Sequence, residues 1–185
     1  MAKTANLLVD GLGRPERIGL LLPLHWQTVV LVLAGAAVGA EVTLAAAPDE
    51  LVGCAACFVL PDAAEAALDA GVDEVLVLSG HPMGIPVSTP LPALVLDYAR
   101  EVPSYGDHFG GPRPGPARIS CAGHPVTPVS GIDAGDRVQT SADLRGPEGA
   151  GVLLGALVAG ASLVLVPDGA AGLELTAERV TQVLP

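Results

Sequence analysis

Six side chains in this sequence are of types that catalyse reactions or line ligand pockets, and they fall in three short segments. They are His25 and Trp26, Ser79 and His81, and Asp107 and His108. An imidazole can take a proton from a serine hydroxyl, and a nearby carboxylate can orient that imidazole, so these residue types suit general base catalysis. Trp26, the only tryptophan, is expected either to pack where a first strand meets its helix or to line a pocket.

The spacing of these side chains favours structural roles over catalysis. No G-x-S-x-G turn surrounds Ser79, and Asp107 stands beside His108 in a Gly/Pro-rich segment, where neighbouring side chains usually point apart. We therefore assign no catalytic residue and treat all six side chains as pocket candidates. The alternative is a small enzyme in which Ser79, His81, Asp107 and His108 converge at the rim of a sheet, where open α/β proteins bind ligands.

The three cysteines and four histidines do not form a redox or metal-binding pattern. Cys54 and Cys57 have the C-x-x-C spacing, but a strand is predicted after them, so they lack the helix dipole that lowers a thiol pKa. No two histidines are close in sequence, and there is no second C-x-x-C. We therefore expect inert buried thiols, no metal site and no cofactor.

Composition narrows the classes of protein further. Of the 185 residues, 50% are apolar and only 3% are aromatic, which predicts a core of small aliphatic side chains, typical of buried parallel strands covered by helices. The net charge of −11 and the scattered basic residues argue against nucleic acid as a partner. The odd number of cysteines and the lack of a secretory signal pattern predict a cytoplasmic protein.

Two apolar runs, at 29–40 and 151–166, are the candidate membrane-spanning segments. Both are shorter than the roughly 18 to 20 residues that a spanning helix needs. Each contains a G-x-x-x-G pattern, formed by Gly35 with Gly39 and by Gly151 with Gly155. We interpret these glycines as sites of close approach between a helix and a sheet, and we expect no membrane partner.

A helix-to-strand unit occurs twice, at 33–44 and at 154–165. In each copy a helix of small residues ends at a glycine, an alanine follows, and an apolar strand begins. The repeat predicts an α/β fold of three layers, with a mainly parallel sheet, helices on both faces and two pseudo-repeated halves. We expect one domain over 1–185, with halves of about 1–102 and 117–185 joined by the Gly/Pro-rich segment 103–116.

Apolar patterns and Gly/Pro positions predict the individual elements. Strands are predicted at 18–22, 41–46, 57–60, 75–78, 118–121, 126–129, 136–140 and 161–166. Helical segments are predicted at 4–10, 25–38 (or 28–38), 48–52, 62–70, 93–102, 147–159 and 174–183, with Asp62 as the N-cap of the fourth. The segment 79–92 contains four prolines, so it is predicted to be a loop.

Two blocks of sequence carry a family resemblance. The first runs from Arg17 to Pro23 (RIGLLLP) and on through a helix to AAVGA at 36–40; the second is 151–166, followed by ERVT at 178–181. Together they resemble the adenylate-forming superfamily, which includes the AMP-dependent acyl-CoA synthetases. The resemblance implies a stand-alone, truncated relative that corresponds to the N-terminal part of the large domain. Low lysine and high alanine, glycine and proline usage suggests an actinobacterial branch.

The chain departs from the superfamily where ATP would be held. The resemblance implies a Ser/Thr/Gly-rich phosphate loop that ends in Pro-Lys-Gly, and a second lysine for adenylation. Here the only lysine is Lys3, and the corresponding segment 119–127 is poor in glycine. We therefore expect a non-catalytic remnant that binds a small molecule or a protein, as a homodimer. The alternatives are the small enzyme described above and an accessory half-domain of a synthetase-like complex.

Overall fold

The computed structural model describes residues 1–111, 114–166 and 178–184. The strands in these ranges are β1 (Arg17–Leu21), β2 (Glu41–Leu44), β3 (Ala56–Val59), β4 (Glu74–Val77), β5 (Val95–Asp97), β6 (Arg118–Cys121), β7 (His124–Pro125), β8 (Arg137–Thr140), β9 (Ser162–Leu165) and β10 (Gln182–Leu184). The α-helices are α1 (Ala2–Asn6), α2 (Trp26–Val38), α3 (Ala64–Asp69), α4 (Tyr98–Glu101) and α5 (Pro147–Ala159). A π-helical turn, Leu7–Gly11, extends α1.

The strands form two sheets. The larger has the order β5-β4-β3-β1-β2-β6-β7, and all its neighbours pair in parallel except β6 and β7. The smaller has the order β10-β8-β9 and is parallel throughout. The predicted α/β fold with mainly parallel strands is therefore confirmed, although the strands are divided between two sheets.

Apolar side chains cover both faces of the larger sheet. One cluster joins alternate strand residues such as Leu20 to Leu31 of α2 and Leu153 of α5, and the other joins the opposite residues, such as Val77, to Ala67 of α3. This alternation is the period of two that a strand buried on both faces requires. The larger sheet is therefore the middle layer between helices, as predicted.

Both copies of the predicted helix-to-strand unit form in the structure. Helices α2 and α5 each have 13 residues, and each ends at a left-handed glycine, Gly39 with φ of +82° and Gly160 with φ of +74°. In both copies the amide of the following alanine closes the helix, Ala40 bonding to Gly35 at 3.0 Å and Ala161 to Ala156 at 2.9 Å. A residue with a Cβ would be strained at these caps. The unit supplies β2 to the larger sheet and β9 to the smaller one.

The G-x-x-x-G glycines lie where helices approach the strands or loops beside them. A Cβ added to Gly35 would lie 2.6 Å from Val42 Cγ2 and 2.8 Å from Ile18 Cδ1, and one added to Gly155 would collide with the Val129 carbonyl. These contacts match the packing role predicted from the sequence. No helix among the described residues has both the length and the apolarity to cross a membrane.

Two predictions in the middle of the chain are wrong. The predicted helix 93–102 contains β5 and only the short α4, because Val95–Asp97 pairs with β4 and Asp97 then caps the helix. The predicted strand 126–129 is absent, and the pairing with β6 is limited to His124–Pro125. Prolines at 125 and 128 have no N–H to donate, and the Val129 amide bonds instead to Gly151 at 2.9 Å.

Two predicted helix boundaries are also wrong. Asp62 does not cap α3, because a 3₁₀ turn at Pro61–Ala63 precedes that helix and Ala63 occupies the N-cap position. The last predicted helix, 174–183, ends in a strand, since Gln182–Leu184 pairs in parallel with β8. The part of that helix prediction at 174–177 lies outside the described residues.

Candidate ligand-binding site

The loops at the carboxyl ends of the central strands carry four of the six candidate side chains. The chain leaves β1 for β2 on one side and leaves β3 for β4 on the other, so the strand order reverses between β1 and β3. Ligands of open α/β sheets bind at such switch points. His25 and Trp26 follow β1, and Ser79 and His81 follow β4.

His25 is the N-cap of α2. Its Nδ1 accepts a hydrogen bond from the Gln27 amide at 3.3 Å, while its buried Nε2 has no hydrogen-bond partner among the described residues. Burial lowers the pKa of His25, and the nearby His81 main chain opposes this shift without completing a hydrogen bond. The ring therefore favours the neutral form. It borders a void of about 10 Å³ beside Leu60 and Gly80, room for about one water molecule.

Trp26 ties the start of α2 to the loop that follows β4. Its Nε1 donates to the Pro82 carbonyl at 2.8 Å, and its ring lies 5.6 Å from that of His25. The side chain is still 48% exposed. The indole is therefore held in one orientation while much of its surface stays accessible.

Ser79 and His81 bond within their own loop. The Ser79 hydroxyl donates to the Ile85 carbonyl at 2.7 Å and accepts from the His81 amide at 3.3 Å. The His81 ring uses Nδ1 to accept from the Met83 amide at 3.1 Å. In the described part of the chain, the serine hydroxyl makes no hydrogen bond to the histidine ring, so the geometry does not pair a nucleophile with a base.

Asp107 and His108 lie beside α1. The Lys3 ammonium is 3.3 Å from Asp107 Oδ1 and donates to the carbonyls of Pro103 and Tyr105 at 3.1 and 2.6 Å. Asn6 donates to the carbonyls of Gly106 and His108, both at 2.9 Å. The segment 103–108 is thus fixed against the first helix. Its role as a linker between halves stays a prediction.

The structure brings two of the six candidates, Trp26 and Asp107, to one cavity of about 400 Å³ between α1, α2 and α4. His25 adjoins this cavity through Trp26, whereas Ser79 and His81 bond within the loop. The lining residues that were not candidates from the sequence include Gln27 and Tyr98. Tyr98 follows the N-cap Asp97, a signal that could have been used, but nothing in the local pattern marks Gln27.

The cysteines are buried and free, as predicted. Burial raises the pKa of all three thiols, that of Cys57 to about 12. A thiol that stays protonated is a poor nucleophile and a poor metal ligand. In the ranges that the structure covers, no three His, Cys, Asp or Glu side chains cluster in a way that could hold a metal ion.

The segment 119–127, where the resemblance puts a phosphate loop, contains a tight hairpin. Strands β6 and β7 pair through Ser120 with Pro125 and Cys121 with His124, and the Val126 amide bonds to the Ile119 carbonyl at 2.9 Å. The turn consists of Ala122 and Gly123, both with positive φ. No α-helix follows this hairpin directly, since α5 begins at Pro147. Its amides therefore serve strand pairing and do not converge on an anion in front of a helix.

Comparisons with known proteins place the chain in a family. No protein-family model matches it. A curated protein from Mycobacterium tuberculosis, described as a TIGR03089 family protein, is 38% identical over 199 aligned positions, which cover 99% of this chain and 81% of that protein.

Several solved structures share the fold, and each of those chains is much longer than this one. They include an acyl-CoA synthetase from Brucella canis (TM-score 0.69, 16% identity, 90% of this chain), MatB from Rhodopseudomonas palustris (0.67, 17%, 98%) and the amide bond synthetase McbA from Marinactinospora thermotolerans (0.65, 18%, 98%). The chain spans 36%, 41% and 42% of their respective lengths. At these identities the likeness shows the fold, and it agrees with the resemblance found in the sequence. The actinobacterial assignment stays a prediction.

Proposed function

The chain belongs to the TIGR03089 family, and we propose that it is a non-catalytic, cytoplasmic binding protein built on part of the adenylate-forming fold. Its role in this proposal is to hold a small molecule or a protein partner rather than to activate a carboxylic acid. Adenylation depends on positioning the triphosphate and stabilising its charge. The groups that matter are therefore the backbone amides and the basic side chains that could bind the triphosphate.

The hairpin formed by β6 and β7 is the observation that carries the proposal. It occupies the segment where the resemblance puts a phosphate loop, and the amides of Cys121 and Val126 bond within the hairpin. A phosphate loop needs amides that point together at an anion, in front of a helix. To bind triphosphate in that way, the hairpin would have to break its own pairing.

The cations of the chain add support. Its only lysine, Lys3, directs its ammonium at two carbonyls and one carboxylate, which matches its three donors. Arg17 and Arg118 share Glu41 at 3.3 and 3.9 Å. Arg100, Arg137 and Arg145 are also ion-paired. Six of the nine basic side chains therefore already have acidic partners, in a chain of net charge −11.

A matched pair of ligands tests the proposal. Calorimetric titration with magnesium ATP and with adenosine compares a nucleoside with and without its phosphates. We expect the triphosphate to add no affinity, since in the described part of the chain the hairpin is paired and six basic side chains already have acidic partners. An affinity for ATP about tenfold or more above that for adenosine, equivalent to about 1.4 kcal/mol of phosphate binding, would contradict the proposal.

An apolar groove favours a protein partner as the second candidate. It lies between the hairpin and α5, has a volume of about 540 Å³ and is lined by Val126, Leu154 and Val158 among others. Val158 is 77% exposed. Exposed apolar surface of this kind marks sites of association. An accessory role in a synthetase-like complex would use the same surface, and copurification of a chain with the missing lysines would favour it.

A further inference from the structure

The cavity between α1, α2 and α4, called here the helix cavity, has the size of a small-molecule site. Its volume is about 400 Å³, within the range of ligand pockets. Trp26, Gln27 and Val30 of α2 line one side, and Tyr98 and Ala99 of α4 line the other. It is separate from the hairpin where the resemblance puts a phosphate loop.

Gln27 is the residue of the helix cavity whose side chain is best suited to bind a polar ligand. The residue is only 3% exposed, and its carboxamide has no hydrogen-bond partner among the described residues. Neither atom of this carboxamide is among the fully buried unpaired atoms of the described residues, so it stays accessible from the cavity, where a ligand can take the place of water. Gln27 offers an acceptor and a donor side by side at the wall of an open cavity.

Trp26 and Gly84 fix the shape of the site next to that carboxamide. A Cβ on Gly84 would lie 2.8 Å from Gln27 Nε2 and 2.9 Å from Trp26 Cζ2, so the loop backbone packs directly against both side chains. The Pro82 carbonyl holds the indole N–H at 2.8 Å. The site therefore combines a fixed aromatic ring with an amide, which suits a flat ligand.

The charges and hydroxyls around the helix cavity favour an uncharged ligand. Lys3 is the cation at its rim, and its donors are used by two carbonyls and by Asp107. Inside, the hydroxyls of Thr4 and Tyr98 bond to each other at 2.8 Å. Among the described lining residues, the two charged side chains, Lys3 and Asp107, are paired with each other, so a charged ligand would find no free side-chain counter-ion.

We propose that the helix cavity binds a small, uncharged, planar heterocycle whose ring amide pairs with the Gln27 carboxamide while its face stacks on Trp26. The proposal rests on the proposed function as a binding protein, and it names the class of ligand. A ring lactam presents an N–H beside a C=O. These two groups match the acceptor and the donor of a glutamine side chain.

Uracil and 1,3-dimethyluracil test this proposal on the unmodified chain. Both are flat and uncharged, but methylation removes the N–H donors. Because Trp26 is the only tryptophan, its single indole N–H signal in a ¹⁵N–¹H spectrum reports on binding. We expect uracil to shift that signal saturably, with a dissociation constant on the order of 1 mM for so small a ligand, and dimethyluracil to bind about tenfold more weakly.

Two variants and a control locate the binding. Gln27→Met keeps the length of the side chain and should lose the preference for uracil, whereas Ala99→Leu should reduce binding of both ligands by narrowing the cavity. Gln139→Met, on β8 of the smaller sheet, should bind like the wild type. Each variant is first checked for a cooperative thermal transition.

No saturable shift with uracil on the wild-type chain would overturn the proposal, as would equal binding of the two uracils or full uracil affinity in Gln27→Met. None of these results bears on whether the chain binds triphosphate, so failure here leaves the proposed function standing. That function is tested separately, by the comparison of ATP with adenosine and by ATP–pyrophosphate exchange.

Discussion

The His25 ring caps the start of α2 by accepting a hydrogen bond. Its Nδ1 must be unprotonated to do so. The nitrogen accepts the Gln27 amide at 3.3 Å, and burial lowers the pKa of the ring below the ordinary value of 6.5. Below pH 6.5 the unfolded chain therefore takes up a proton at this position before the folded chain does. The contribution of His25 to stability is complete above pH 6.5 and is lost as the pH falls toward the lower folded pKa.

His25→Asn tests this at one position, since asparagine can still cap the helix. We expect the wild type to lose more stability than this variant between about pH 7.5 and about pH 5.5, measured as the free energy of unfolding in urea. An unchanged pH dependence in His25→Asn would show that the ring is not held neutral.

The cysteines give a second prediction for single side chains. All three are buried with raised pKa values, that of Cys57 reaching about 12. At about pH 8 the folded chain should therefore not react with a thiolate-selective disulfide reagent, whereas the chain in denaturant should release three equivalents. Rapid modification of Cys54 or Cys57 in the folded chain would restore the redox interpretation of the C-x-x-C pair.

Among the elements, α2 and α5 show how glycines let helices pack tightly. Gly35 sits over Ile18 and Val42, and Gly155 over the Val129 carbonyl. In both helices the surroundings leave no room for a methyl group. The spacing that would indicate helix pairing in a membrane therefore serves packing against strands and loops here.

Gly35→Ala should destabilise the chain by about 1–3 kcal/mol through overpacking against Val42 and Ile18, visible as a melting temperature lower by roughly 2–10 °C. Gly135→Ala is the matched control, because a Cβ there meets nothing within 4 Å. Val42→Ala should offset part of the loss in the double variant, a coupling that a double-mutant cycle measures. A melting temperature unchanged in Gly35→Ala would contradict the close approach.

Elements that carry their own boundary signals could be predicted from the sequence, and elements that depend on distant neighbours could not. Helix α5 was predicted to the residue, since Pro147 opens it and Gly160 ends it. Strands β5 and β10 have three residues each and exist through pairing with β4 and β8. No local pattern specifies such a partner.

The same distinction applies to the candidate site. Trp26 could be chosen by its type, but Gln27 could not, because what distinguishes it is burial without a partner. That burial depends on how α1, α4 and the Gly84 loop close around it. Asp97, which fixes the Val87 amide at 2.9 Å and caps α4, was likewise hidden inside a predicted helix.

Considered as one molecule, the chain has a strong negative charge and an apolar groove between the hairpin and α5. We predict a homodimer formed through this groove. Sedimentation should give twice the chain mass of 18.5 kDa, and Val158→Glu should give the monomer, because a charge would be buried at the interface. Val52→Glu, at another exposed valine in the turn before β3 (61% exposed, against 77% for Val158), is the control. A monomeric wild type would contradict the predicted homodimer.

We expect that this chain, built on part of the adenylate-forming fold, does not activate carboxylic acids. ATP–pyrophosphate exchange, measured with a panel of short, branched and aromatic carboxylates, tests it most directly, because exchange reports formation of an acyl-adenylate. We expect no exchange above a protein-free control for any carboxylate. Exchange that requires the chain and depends on one carboxylate, reduced in Lys3→Ala but not in Arg14→Ala, would contradict it.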